Sequence, residues 1–190
     1  MRRVQYLIGS MLAFTLAACS GPVVSQPGSA FNQIDSIYNY GAGGRDLRLT
    51  VRGNPFPMPA DVFAHVVEAD VQVGLLRQPT HPTLTPGPTA KDNYELVFVF
   101  SPALTLRGDD LCKGRGDQAA EAAPVAGGTV TVRAIAAFCV AGRAETEIVG
   151  ETQAEESGDV RFSGMMRQMM LSLFRPDVRD NGHGRGVEVF

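Results

Sequence analysis

The chain has 190 residues, a length typical of one domain that can bury its own core. Its 17 basic and 20 acidic residues give a net charge of −3, and this acidic excess gives no reason to propose nucleic acid as a partner. Beyond the N-terminus no apolar run approaches the roughly 20 residues that a membrane-spanning helix needs.

The N-terminus has the pattern of an export signal. Arg2 and Arg3 precede an uncharged apolar segment, Val4 to Ala18, which is short for a spanning helix and typical of a signal peptide. It ends in Leu16-Ala17-Ala18-Cys19, which resembles the lipobox of bacterial lipoprotein precursors. We therefore predict a lipoprotein signal peptide over residues 1–18 and lipid attachment at Cys19. The alternative is an ordinary secretory signal with an incidental cysteine.

Cleavage before Cys19 would remove two arginines and no acids, leaving 15 basic and 20 acidic residues and a net charge of −5. The next segment is rich in Ser, Gly, Pro and Asn, a composition typical of a flexible tether, predicted here over residues 19–44. About 25 such residues span roughly 25–30 Å. Phe31, Ile34, Ile37 and Tyr38 interrupt it and are candidates to dock on the domain.

The first half of the domain shows the two-residue periodicity of a strand and then the helical periodicity of about 3.6 residues. Alternation of Leu47, Leu49 and Val51 with polar residues predicts a strand, and apolar spacing predicts a helix over Ala60 to Val73. Pro79 to Pro88 is predicted to be extended and exposed, because its composition is typical of polyproline-like segments. Tyr94 to Phe100 is predicted as a buried strand, and Arg107 to Gly128 as a long polar loop.

A strand pair follows. Thr129 to Val140 alternates cleanly, and Arg143 to Val149 is predicted to return antiparallel. A two-residue loop would place Phe138 opposite Glu145. A three-residue loop, which we favour, would place Val140 beside Ala144 and Ala136 beside Ile148, with both glutamates on the other face.

The last element is a helix predicted over Val160 to Phe174, followed by a polar tail over residues 177–190. One stripe of the helix is continuously apolar and contains four methionines. We interpret the stripe as core, because the sheet needs a helix to cover it; the alternative is an adaptable docking face. The predicted fold is a single α+β domain over residues 45–176, an antiparallel β-sheet with two α-helices packed on one face.

Candidate chemistry is sparse. His65, His81 and His183 stand without a second histidine or cysteine at metal-ligand spacing, and no nucleophile motif is present. We therefore predict no catalytic residues, no cofactor and no metal site, and a protein that is not an enzyme.

Cysteine count gives one further site. With Cys19 lipidated, Cys112 and Cys139 remain in a chain bound for an oxidising compartment, where an even remainder indicates a disulfide. The alternative is two buried free thiols.

Short segments scattered over the mature chain resemble uncharacterised lipoproteins of the Gram-negative envelope, a proteobacterial family of unknown function. The segments are Gly44-Arg45-Asp46, Arg52-Gly53-Asn54-Pro55-Phe56, Thr85-Pro86-Gly87-Pro88, Leu111-Cys112, Phe138-Cys139 and Leu173-Phe174. This resemblance implies an envelope setting and paired cysteines, and it supplies no catalytic residues. Ser20 after the cysteine is similar to the usual outer-membrane sorting pattern.

Two classes of function remain open. The favoured one is a lipid-anchored, non-enzymatic protein on the periplasmic face of the outer membrane, which acts in assembly or as a subunit of a larger complex with an envelope protein partner. The alternative is a lipoprotein that binds a small envelope ligand. A deep apolar cavity under the helices would favour the ligand, and a filled core with an exposed apolar patch would favour the protein partner.

Overall fold

A computed structural model describes residues 21–25, 34–74, 80–115 and 128–174. The predicted signal peptide, Cys19, His183 and the predicted tail lie outside these ranges. The described residues form six strands and four helices: β1 Val23–Ser25, α1 Ile34–Ala42, β2 Asp46–Arg52, α2 Ala60–Gly74, β3 His81–Thr83, β4 Tyr94–Phe100, α3 Gly108–Cys112, β5 Val130–Val140, β6 Arg143–Ala154 and α4 Val160–Leu173.

The strands make one mixed sheet in the order β1-β6-β5-β4-β2-β3. Strands β4, β5, β6 and β1 pair antiparallel, whereas β2 is parallel to both β3 and β4. The prediction of an antiparallel sheet is therefore wrong for β2 and β3. The physical reason is α2, a crossover helix that returns the chain to the end of the sheet where β2 began, so that β3 runs in the same direction.

The alternating residues of the strands separate two apolar clusters. The larger one contains Leu96, Phe98, Ala136 and Phe138, and buried residues of α1, α2 and α4 pack against it. The smaller one contains Val97, Val99, Ile135 and Ala137 on the opposite face, where Leu111 of α3 covers it. The α+β class is confirmed in this coarse form. Four helices are described where two were predicted on one face, and α3 lies on the face opposite to α2 and α4.

The methionine stripe belongs to the core. Met165, Met166, Met169 and Met170 of α4 are at most 1% exposed and lie in the larger cluster. A methyl group on Gly150 of β6 would lie 2.5 Å from the Met169 sulfur, so the helix packs directly on the strand. The interpretation as core is confirmed, and the docking-face alternative is wrong.

The β5–β6 hairpin combines the two loops that the sequence offered. Ala141 and Gly142 form a two-residue turn with φ of 50° and 76°, the left-handed conformation of a tight hairpin turn. Val140 lies opposite Arg143, so the predicted three-residue loop is wrong. A β-bulge then leaves Glu145 without a partner residue, because Cys139 faces Ala144 and Phe138 faces Thr146. The bulge restores the predicted pairing of Ala136 with Ile148.

The predicted tether contains a helix in its second half, where the expected docking of Tyr38 on the domain is confirmed. Residues 34–42 form α1, whose Tyr38 is 5% exposed and packs its ring 4.3 Å from that of Phe174. Near the start of the same segment, Val24 pairs with Gly150 at the edge of the sheet. The chain is therefore attached to the domain at two places between Gly21 and Gly44.

The proline-rich segment is extended over β3 as predicted, but the prediction that it is exposed is wrong for two of these residues. Residues 81–83 form edge strand β3, in which Pro82 and Thr83 are buried. Because β3 pairs only with β2, a proline without an amide hydrogen is tolerated there.

Candidate functional site

The predicted disulfide is present. Cys112 ends α3, Cys139 lies on the smaller-cluster face of β5, and their Cα atoms are 5.5 Å apart. Cys139 is 3% exposed. The bond therefore joins α3 to the hairpin end of β5 in a place that solvent reaches poorly.

Three further contacts hold α3 on the hairpin. The Gly108 amide at the start of the helix donates to the Glu147 carboxylate, and the Ala144 amide donates to Asp109 Oδ1 at 2.9 Å. Leu111 is 1% exposed in the smaller cluster. A methyl group on Gly108 would lie 2.6 Å from the Glu147 carboxylate and 2.8 Å from the Ala144 methyl, so only glycine fits this approach. The sequence predicts a polar loop here, and its lack of apolar periodicity gave no sign of the helix or of these three contacts.

Two carboxylates hold the segment over residues 80–90 beside the sheet. Asp46 accepts from the Gly87 amide at 2.8 Å and contacts His81 Nδ1 at 3.2 Å. The Gly87 hydrogen bond, helped by His81 and opposed by partial burial, holds the pKa of Asp46 below its ordinary value. Asp46 therefore holds the segment over residues 80–90 in place, and His81 lies on the surface.

Glu68 on α2 is the second of these carboxylates. It accepts from the Leu84 amide at 3.0 Å and contacts His65 Nδ1 at 3.0 Å. Partial burial opposes ionisation of Glu68, but hydrogen bonds from Thr83, His65 and Leu84 outweigh it and lower the pKa of the carboxyl. Both described histidines are therefore exposed partners of structural carboxylates, and neither adjoins a nucleophile motif.

A partly buried polar contact joins the two long helices. The Ser163 hydroxyl of α4 donates to Asp70 of α2 at 3.2 Å. Burial raises the pKa of Asp70, and the hydrogen bond offsets part of that effect. One donor on one carboxylate is an arrangement suited to aligning helices.

Within residues 21–25, 34–74, 80–115 and 128–174, no group of three His, Cys, Asp or Glu side chains is placed to hold a metal ion. In the same ranges, no helix has the length and apolar character needed to cross a bilayer.

No protein family matches the chain, and no curated protein matches its sequence. Among solved structures, the PelC dodecamer from Paraburkholderia phytofirmans aligns over 82% of this chain and 96% of its own, with 11% identity and a TM-score of 0.41. A variant of the same PelC in another crystal form covers 82% and 95%, with 11% identity and a TM-score of 0.37. The predicted kinship with envelope lipoproteins stays a prediction.

Proposed function

We propose that this protein is a lipid-anchored envelope protein, attached through Cys19, that acts without catalysis as an assembly factor or as a subunit of a larger complex. The anchor rests on the charged, apolar and small-residue pattern before Cys19. Ser20 supports placement on the periplasmic face of the outer membrane.

The packing between the helices and the sheet favours a protein partner over a small ligand. Phe63 of α2 packs its ring 4.8 Å from Phe100 of β4, and Phe56 packs 5.4 Å from Phe162 of α4. Gly150 lets the Met165 and Met169 side chains lie against β6. Side chains thus occupy the place where a ligand-binding lipoprotein would hold an apolar guest, which favours recognition through the outer surface.

The anchor is tested by replacing Cys19 with serine, which cannot form the thioether bond to lipid. We expect Cys19→Ser to lose palmitate labelling and to leave the membrane fraction, while Cys112→Ala, which retains Cys19, stays labelled. A Cys19→Ser protein that still takes up label and pellets with membranes contradicts the proposal.

The partner is tested by crosslinking in intact cells followed by mass spectrometry of the purified adduct. We expect the wild-type protein to form a discrete adduct with itself or with another envelope protein. Native mass spectrometry of the same preparation supplies the contrast, because a stoichiometric small molecule retained by the monomer would favour the ligand-binding alternative.

A further inference from the structure

The pairing of β1 shows which end of the domain the anchor reaches. Val23 lies opposite Glu151 and Ser25 opposite Val149, so the chain before Val23 leaves the sheet on the side of Ala154. Val23 is the fourth residue after Cys19, and even a fully extended chain covers at most about 14 Å over that distance. A lipid on Cys19 would therefore hold this end of the sheet close to the bilayer.

The same end contains the starts of both long helices. After Ala154, residues 155–159 lead directly into α4, and after β2 ends at Arg52 a short segment leads into α2. The two starts are neighbours, because the Phe63 and Phe162 rings lie 6.0 Å apart. Strand β4 also ends here, since Phe100 lies opposite Ala134.

Exposed apolar side chains occur in, or just after, the elements that begin or end on this side of the sheet. Val23 is 69% exposed, Val62 in the first turn of α2 is 45% exposed, and Val160 at the start of α4 is 81% exposed. Leu104, four residues after the end of β4, is 73% exposed. We call these four residues the apolar end. Among the described residues, only Tyr40 and Leu171 are large apolar side chains of comparable exposure located elsewhere.

The charges beside the apolar end define the kind of surface that it fits. Asp61, Glu151, Glu155 and Glu156 are exposed there. The nearby Arg161 guanidinium is already bonded to Asp159 at 2.6 Å. Carboxylates repel anionic lipid headgroups and attract the ammonium groups of zwitterionic ones.

We propose that the apolar end lies on the bilayer that holds the lipid anchor, with Val160 and its neighbours in contact with a zwitterionic lipid surface. This inference rests on the proposed anchor at Cys19. Contact is shallow, since isolated valines and a leucine among carboxylates reach only the boundary between headgroups and acyl chains, about 5–10 Å deep.

Tryptophan fluorescence tests the proposal directly, because the chain contains no tryptophan. Val160→Trp places one reporter at the apolar end, and Tyr40→Trp places a matched reporter at a 66%-exposed position on α1, at the opposite end of the sheet. Lipidated full-length mature protein is reconstituted into phosphatidylcholine vesicles that carry brominated acyl chains, and flotation measures vesicle attachment. Leu104→Trp is a second reporter should Val160→Trp fold poorly.

We expect quenching of the Val160→Trp protein to exceed that of Tyr40→Trp about threefold, because only a side chain at the acyl boundary meets the bromines. Replacing half of the lipid with phosphatidylglycerol should reduce this quenching. Equal quenching of both proteins while they float with vesicles overturns the inference and leaves the anchor standing. Stronger quenching in anionic vesicles also overturns it. Loss of flotation by the lipid-modified protein contradicts the anchor itself.

Discussion

The ring of Tyr94 lies over the backbone of Gly41, so close that a methyl group at position 41 would overlap the ring atoms Cδ1 and Cε1. Gly41 is in the last turn of α1, and Tyr94 begins β4 with only 7% of its surface exposed. The contact fixes α1 at one end of the sheet. A glycine inside a helix is otherwise unfavourable, so packing explains why this one is accommodated.

Gly41→Ala should therefore lower the free energy of unfolding by about 1–3 kcal/mol, the usual range for overpacking. Helix propensity alone predicts a gain of up to about 1 kcal/mol. The matched control is Gly164→Ala in α4, where a methyl group meets nothing within 4 Å. That variant should gain about 0.5 kcal/mol. Urea denaturation measures both, and stabilisation by Gly41→Ala would contradict the packing described.

Removal of the disulfide should be costly. A double Cys112→Ala, Cys139→Ala variant should lose about 3.5 kcal/mol, because the bond closes a loop of about 28 residues in the unfolded chain. Reductant should destabilise the wild-type protein by a similar amount and leave the double variant unchanged. A wild-type protein indifferent to reductant, with both thiols open to alkylation, would rule the bond out.

Asp159 caps α4 and should make stability depend on pH. Its carboxylate accepts from the Arg161 amide at 2.9 Å, and hydrogen bonds from the Arg161 side chain and backbone hold its pKa well below the ordinary 3.8. A pKa lowered by folding means that the stabilisation is present above the unfolded value and is lost as the pH falls below it.

Asp159→Asn keeps a capping oxygen and removes the charge. We expect it to cost about 0.5 kcal/mol at pH 7, as a charge at a helix N-terminus typically contributes. The difference from wild type should shrink as the pH falls through 3.8 toward 2. Glu156→Gln, at an exposed position nearby, should show a smaller difference at pH 7. A constant gap for Asp159→Asn across this pH range would refute the assignment.

Thr152 offers a stabilising change. It is 5% exposed on β6, and within the described part of the chain its hydroxyl has no hydrogen-bond partner. Thr152→Val keeps the branched shape and removes the unmatched hydroxyl, so it should gain about 1 kcal/mol. Thr131→Val on the exposed part of β5 should change stability by less than about 0.5 kcal/mol. Thermal denaturation of the two variants distinguishes them, and destabilisation by Thr152→Val would indicate a partner for the hydroxyl.

Elements with long apolar periodicity could be predicted from the sequence. Helices α2 and α4 and strand β4 begin and end within a residue or so of their predicted bounds, because each carries a complete apolar face. The Cys112–Cys139 bond was predictable from the cysteine count. Burial of the methionines followed from the need to cover a sheet.

The remaining features depend on contacts between distant segments. Helix α1 lies in a Gly- and Asn-rich stretch, and it is ordered by Tyr38 and Gly41 contacts to residues far along the chain. Strand β3 is too short and too proline-rich to show a pattern. The bulge at Glu145 could not be predicted, because a two-residue turn followed by a bulge pairs Ala136 with Ile148 just as a three-residue turn would. The apolar end could not be predicted either, since its four residues come from four separate segments.

Strand β1 is synthesised early, and its partner β6 is synthesised late. Val23 can pair only after Glu151 has been synthesised, so most of the chain must be made before this pairing can form. Strand β6 is the second-last described element and has twelve residues, of which β1 pairs with three. Strand β1 is therefore added to the edge of the sheet late in folding, since long-range pairing is slow.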